Sequence, residues 1–174
     1  MRITWTIRTP LPAELAAREL ARAWRETAGD PLTVAGTRLL LSLVWVETEL
    51  GIKAWNYSPG NFATSKNWVG LAWRPSWYLV SNKSSARDIK LHADMLAGRQ
   101  PGAFRAYDGW VSGFDDFAST MRARFPEVIK AANAGNVTDF RIALASKYSK
   151  DYLNNVNGVE SQFVKHSQAF SVYV

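Results

Sequence analysis

Cysteine is absent from the 174 residues, so no disulfide framework holds the fold and redox chemistry does not mark the compartment. Histidine is scarce. His92 and His166 are the two present, and neither has a second His, Cys or carboxylate at the spacing of a metal site such as H-E-x-x-H. No G-x-S-x-G elbow, Walker A loop or G-x-G-x-x-G turn occurs, which removes the usual support for serine hydrolysis, nucleotide hydrolysis and dinucleotide binding. No apolar run approaches the ~18 residues of a bilayer-spanning helix, and the longest, Leu39 to Val46, is interrupted by Ser42. The opening MRITWTIRTP lacks the continuous apolar stretch and small-residue cleavage site of a secretory leader. Acid is missing over one long stretch, since no Asp or Glu lies between Gly51 and Arg87. Carboxylate chemistry, supplied from outside that stretch, is the catalytic class left standing.

What is present is apolar and basic. With 47% hydrophobic residues, the chain can bury one sizeable core and is short for two, so residues 1–174 are expected to form a single domain. A net charge of +6 and a pI near 9.7 suit a polyanionic partner. The cations are scattered, from Lys66 and Arg87 to Lys147 and Lys165, without the dense run of a DNA-binding arm. A solvated cationic surface accounts for them equally well.

The segment from Asp30 to Asn61, DPLTVAGTRLLLSLVWVETELGIKAWNYSPGN, organises the rest. Asp30 is the expected cap of an apolar helix, Pro31 its first helical residue and Gly51 its stop, a span of about five turns. Stepping back from Glu47 by three, four and seven residues gives Val44, Leu43 and Leu40, which puts Glu47 on the apolar face and partly out of water. The same steps from Glu49 give Val46, Trp45 and Ser42, a mixed and wetter face, so Glu49 reads as a surface charge. Lost hydration and the carbonyls of the last helical turn both raise the pKa of an acid placed like Glu47, as a general acid requires. An ordinary helix-end glutamate leaning into solvent is the bland alternative.

Glu47-Thr48, Gly51, Asn56, the Pro59-Gly60-Asn61-Phe62 loop and Phe104-Arg105-Ala106-Tyr107 follow one another in an order that resembles peptidoglycan-cleaving glycosidases of the lysozyme-like superfamily. The nearest type is the flagellar muramidase-type glucosaminidases and their phage relatives. The resemblance runs over roughly 34–152, and Gly113-Phe114-Asp115-Asp116-Phe117, Arg124-Phe125-Pro126 and Ala143 to Tyr152 look like the helical second half of those domains. It implies an α+β, mainly α, lysozyme-like fold with a core catalytic helix and a small irregular β-lobe. It further implies that Glu47 is the catalytic acid, with Thr48 the small hydroxyl residue after it, and Asn56, Asn61 and Tyr107 beside the cleft. Trp68 and Trp73, from an aromatic stretch spanning Trp55 to Tyr78, are the rings expected to stack on sugars. One departure stands out. The family places a second carboxylate in the β-lobe, where this chain has none, and Asp88 and Asp94 would have to fold back from a helix. A scheme in which one residue is acid and then base stays open, with the substrate's own N-acetyl or hydroxyl group attacking the anomeric carbon.

Elsewhere, Arg2 to Arg8 and Phe170 to Val174 alternate with strand periodicity. Strand-like extensions at 1–9 and 168–174 would pair with each other, extend a neighbouring subunit's sheet or meet a virion partner. Leu11 to Thr27 reads as an amphipathic helix with Leu15, Leu20 and Trp24 inward, packed on the core helix. Ser84 to Leu96 reads as a helix closed by Gly98. Three more helices are expected at Gly113 to Arg124, Pro126 to Ala134 and Val137 to Lys147, separated by Pro126 and by Gly135-Asn136.

The expected activity is cleavage of the β-1,4 backbone of peptidoglycan, by a muramidase, lytic transglycosylase or glucosaminidase route. No cofactor, metal or membrane span is implied. Lacking a leader, such a protein would travel in a virus particle or reach the periplasm and cell wall by a separate lysis or secretion route. Two other classes stay open. One is an inactive wall-binding or virion-structural module of the same fold, favoured by the missing β-lobe carboxylate. The other is a single-stranded nucleic-acid binder using the basic surface and the tryptophans.

Overall fold

The computed structural model describes residues 11–27, 29–48, 110–153, 155 and 158–174. Among these, 82% are helical and none is in a strand. In chain order the helices are α1 (Ala13–Glu26), α2 (Val34–Thr48), α3 (Trp110–Arg124), α4 (Pro126–Ala134), α5 (Val137–Lys147) and α6 (Val159–Ala169), with single 3-10 turns at Lys150–Tyr152 and Phe170–Val172. The small β-lobe, the strand at Arg2 to Arg8, the helix at Ser84 to Leu96, the Gly51 stop and Glu49 all fall outside the described residues.

Helix α2 is the centre because the apolar run in its middle is too wide to leave in water. Leu39, Leu40, Leu41, Leu43 and Val44 are all buried. Five apolar residues within six positions cover more than half of the circumference, and Ser42, in the gap between them, is buried as well, so this part of the helix is enclosed. Helices α1, α4 and α6 pack around it. By contrast α1 has a single inward stripe. Ala16, Leu20, Ala23 and Trp24 are buried, while Leu15 is partly covered by the core. This stripe lies mainly against α3 and touches α2 less. Phe114, Phe117, Phe140 and Phe163 fill the interior, each contributing about 1.5–3 kcal/mol relative to exposure in water.

The start of α2 differs from expectation. Asp30 lies ahead of the helix, its backbone carbonyl accepting from Trp24 Nε1 at 3.1 Å and Arg122 Nη2 at 2.7 Å. Thr33 caps instead, its hydroxyl accepting the Gly36 N–H at 2.9 Å. Asn133 of α4 fixes this choice, accepting the Thr33 N–H at 3.0 Å while its carbonyl accepts the Thr33 hydroxyl at 3.0 Å. A contact from 100 positions away thus sets the cap three residues past the expected one.

Helices α4 and α5 lie where their punctuation put them. Pro126 opens α4 and Gly135, at φ 72°, ends it, while the Asn136 side chain accepts the Asp139 N–H at 3.1 Å to start α5. The expected C-terminal strand does not form. Phe170–Val172 is a 3-10 turn continuing from α6. Val159, Phe163 and Phe170 are buried at spacings of four and seven, a helical stripe that outweighs a five-residue alternation. Helix α6 itself was not anticipated.

Candidate functional site

Glu47 sits in the last turn of α2, half-buried, on the face whose earlier positions Leu40, Leu43 and Val44 are buried. The periodicity of the sequence therefore located it correctly. Its carboxylate accepts a hydrogen bond from the Tyr152 hydroxyl. Tyr152 is 4% exposed, and its ring stacks on Phe163 at 5.9 Å with an interplanar angle of 25°. Tyr148 lies 6.4 Å away, tilted at 55°.

Burial holds the Tyr152 phenol well above its ordinary pKa, and the negative charge of Glu47 pushes it the same way. Both effects penalise a tyrosinate, so the proton stays on the phenol oxygen. Tyr152 is thus a fixed donor and Glu47 its acceptor. A held carboxyl with a neighbouring phenol can give or take a proton at an oxygen brought alongside it, which is the equipment of general acid–base catalysis.

The turn presenting Tyr152 is built from local chemistry. Helix α5 stops with the Tyr148 and Ser149 N–H groups both donating to the Leu144 carbonyl, at 2.8 and 3.0 Å. Ser149 takes an extended conformation and its hydroxyl accepts the Asp151 N–H at 3.3 Å, capping one 3-10 turn that ends on Tyr152. Asn155 then adopts φ 48°, a left-handed geometry that asparagine tolerates better than most residues. Its side chain accepts the Glu160 N–H at 2.9 Å, starting α6.

The neighbouring face of α2, expected to be wetter, is roofed by α6. Trp45 stacks on His166 at 4.9 Å and 26° and meets Phe170 edge-on at 6.4 Å. Ser42 is fully buried, its hydroxyl returning to the Arg38 carbonyl at 2.8 Å. A helix interior accepts serine on these terms because the i−4 carbonyl satisfies it.

Of the residues singled out from the sequence, Glu47 is described with its surroundings and Thr48 is the last residue of α2. Asn56, Asn61, Trp68, Trp73 and Tyr107, like Asp88 and Asp94, lie outside the described residues. Tyr152 had no assigned role in the sequence, where it stands 105 positions from Glu47; its spacing of four from Tyr148 was the faint signal available.

Among the described residues no group of three or more His, Cys, Asp or Glu side chains could hold a metal ion, and no helix is long and apolar enough to cross a membrane. A cleft of about 450 Å³ opens between α1 and the approach to α2, lined by Trp24, Arg25, Pro31, Leu32, Thr37 and Arg122 among others. Neither Glu47 nor Tyr152 borders it. No protein-family model, curated protein or solved structure matches this chain.

Proposed function

We propose that this chain is a lysozyme-like domain that cleaves β-1,4 linkages of the peptidoglycan glycan strand, with Glu47 as general acid. The observation that carries the reading is the half-buried Glu47 carboxyl at the end of an enclosed helix, held by a phenol that keeps its own proton. In this scheme Glu47 gives a proton to the departing glycosidic oxygen as the C–O bond breaks. The substrate's N-acetyl oxygen or a hydroxyl closes onto the anomeric carbon, and Glu47 then serves as base. The acid-free stretch from Gly51 to Arg87 favours this single-carboxylate route over a two-carboxylate one. The net charge of +6 suits a polymer bearing peptide carboxylates.

Digestion of purified cell walls tests the assignment. Wild type is expected to solubilise wall and Glu47→Gln to lose about a hundredfold or more of that rate, the usual scale for a positioned acid. Equal rates for the two would overturn it. The same acid-free stretch also supports a second reading, a wall-binding module without turnover. That protein would co-sediment with wall yet leave no cleared band in a zymogram.

A further inference from the structure

Tyr152 reaches Glu47 from the end of a one-turn helix, a weak platform because one 3-10 turn holds few hydrogen bonds of its own. Arg141 of α5 supplies more. Its Nη1 donates to the Tyr152 carbonyl at 2.7 Å and to the Leu153 carbonyl at 2.8 Å. Its Nε donates to Glu160 Oε1 at 2.6 Å. The guanidinium is mostly covered, with 13% of its side chain exposed against 27% for Glu160, so this pair is less screened than a surface ion pair. Glu160 lies in the first turn of α6, where its charge also complements the helix dipole. Three residues on, Phe163 stacks against the Tyr152 ring.

From this geometry we infer that Arg141 is a positioning residue, clamping the Lys150–Tyr152 turn between α5 and α6 so that the Tyr152 hydroxyl stays on Glu47. The inference rests, for its catalytic consequence, on the reading of Glu47 given above. One nitrogen of a planar group meets two successive carbonyls and another meets a carboxylate. A lysine, a single charge on a flexible stem, cannot reproduce that span. With the clamp removed, Tyr152 keeps its ring contacts and loses its backbone anchor, and misplacement by about 1 Å beside an acid costs up to ~100-fold in turnover.

The test uses the full chain carrying [13Cζ]tyrosine, with the Tyr152 resonance assigned through Tyr152→Phe. In wild type this resonance is expected to shift in acid as Glu47 takes up a proton. Glu47→Gln abolishes that step and so separates it from any response to Asp151 or Tyr148. In Arg141→Lys the step is expected to shrink or vanish, with kcat on cell wall reduced about tenfold or more and KM little changed. In Glu160→Gln it should weaken in the same direction by less. An Arg141→Lys protein with a native circular dichroism spectrum and an undiminished step would overturn the inference. If that variant fails to fold, an undiminished step in Glu160→Gln overturns it instead. A wild type that leaves walls intact would sink the sugar-cleaving reading alone, because the resonance still reports whether Arg141 holds Tyr152 against Glu47.

Discussion

At its first turn α2 is tied to α4 through Thr33 and Asn133, a set of bonds that satisfies helix-end donors and crosses between two helices. Gly36 lets the two helices come this close, since a Cβ there would lie 2.2 Å from Asn133 Oδ1 and 3.3 Å from its Cα. At its last turn α2 instead presents an acid, met by a phenol from a distant turn. Both ends are polar contacts between remote parts of the chain, yet they do different work. The first completes a helix and is replaceable by any equally good cap. The second uses polar groups that the helix does not need, and a carboxylate half out of water costs stability unless it is hydrogen-bonded.

That contrast can be sharpened by substitution at each end. Glu47→Gln should produce the largest change, about a hundredfold or more in wall cleavage, while urea midpoints stay close to wild type. Comparable losses of stability and activity would erase the distinction between the ends. Gly36→Ala at the other end should cost about 1–3 kcal/mol, because the new methyl overlaps Asn133 and forces α2 and α4 apart. Its activity per folded molecule should be unchanged, as thermal unfolding combined with active-fraction titration would report. Tyr152→Phe removes the hydrogen bond to the Glu47 carboxyl and should slow cleavage about tenfold, measured as kcat at saturating wall. Thr33→Ala, with the smallest effect at neutral pH, should cost about 1 kcal/mol, the usual loss of a helix cap.

Alkaline pH separates the ends in another way. The Tyr152 phenol is raised above its ordinary value by burial and by Glu47, so the folded chain keeps a proton that the unfolded chain releases above about pH 10. The stability tied to this group is complete below that pH and is lost as pH rises, at about 1.4 kcal/mol per pH unit for one proton. Urea unfolding near pH 11 should therefore weaken wild type more steeply than Tyr152→Phe, while Thr33→Ala should follow the wild-type slope.

Legibility in the sequence followed the reach of the physics involved. Glu47 was found by periodicity, since Leu40, Leu43 and Val44 sit within two turns of it. Helices α4 and α5 were bounded by Pro126, Gly135 and Asn136, whose backbone preferences act locally. The cap of α2 was misplaced because Asp30 has the stronger local preference, while Asn133, 100 residues away, holds Thr33 in the capping position. The end of the chain was misread because FSVYV alternates, while the stripe of Val159, Phe163 and Phe170 is diluted by polar residues. Tyr152 carries no local mark beyond its spacing of four from Tyr148. Its place depends on where α5 stops, how Ser149 and Asn155 bend the chain, and how Arg141 catches the two carbonyls.

The separation of Glu47 and Tyr152 by 105 residues has a consequence for how the molecule matures. Contacts between segments so far apart form only after the intervening chain has been organised, and synthesis delivers Tyr152 and its supporting helix α6 well after Glu47. A nascent chain released through α5, with Tyr152 and α6 still inside the ribosome, would carry the carboxylate without its companion. Competence at this end of α2 would then wait for α6 to emerge.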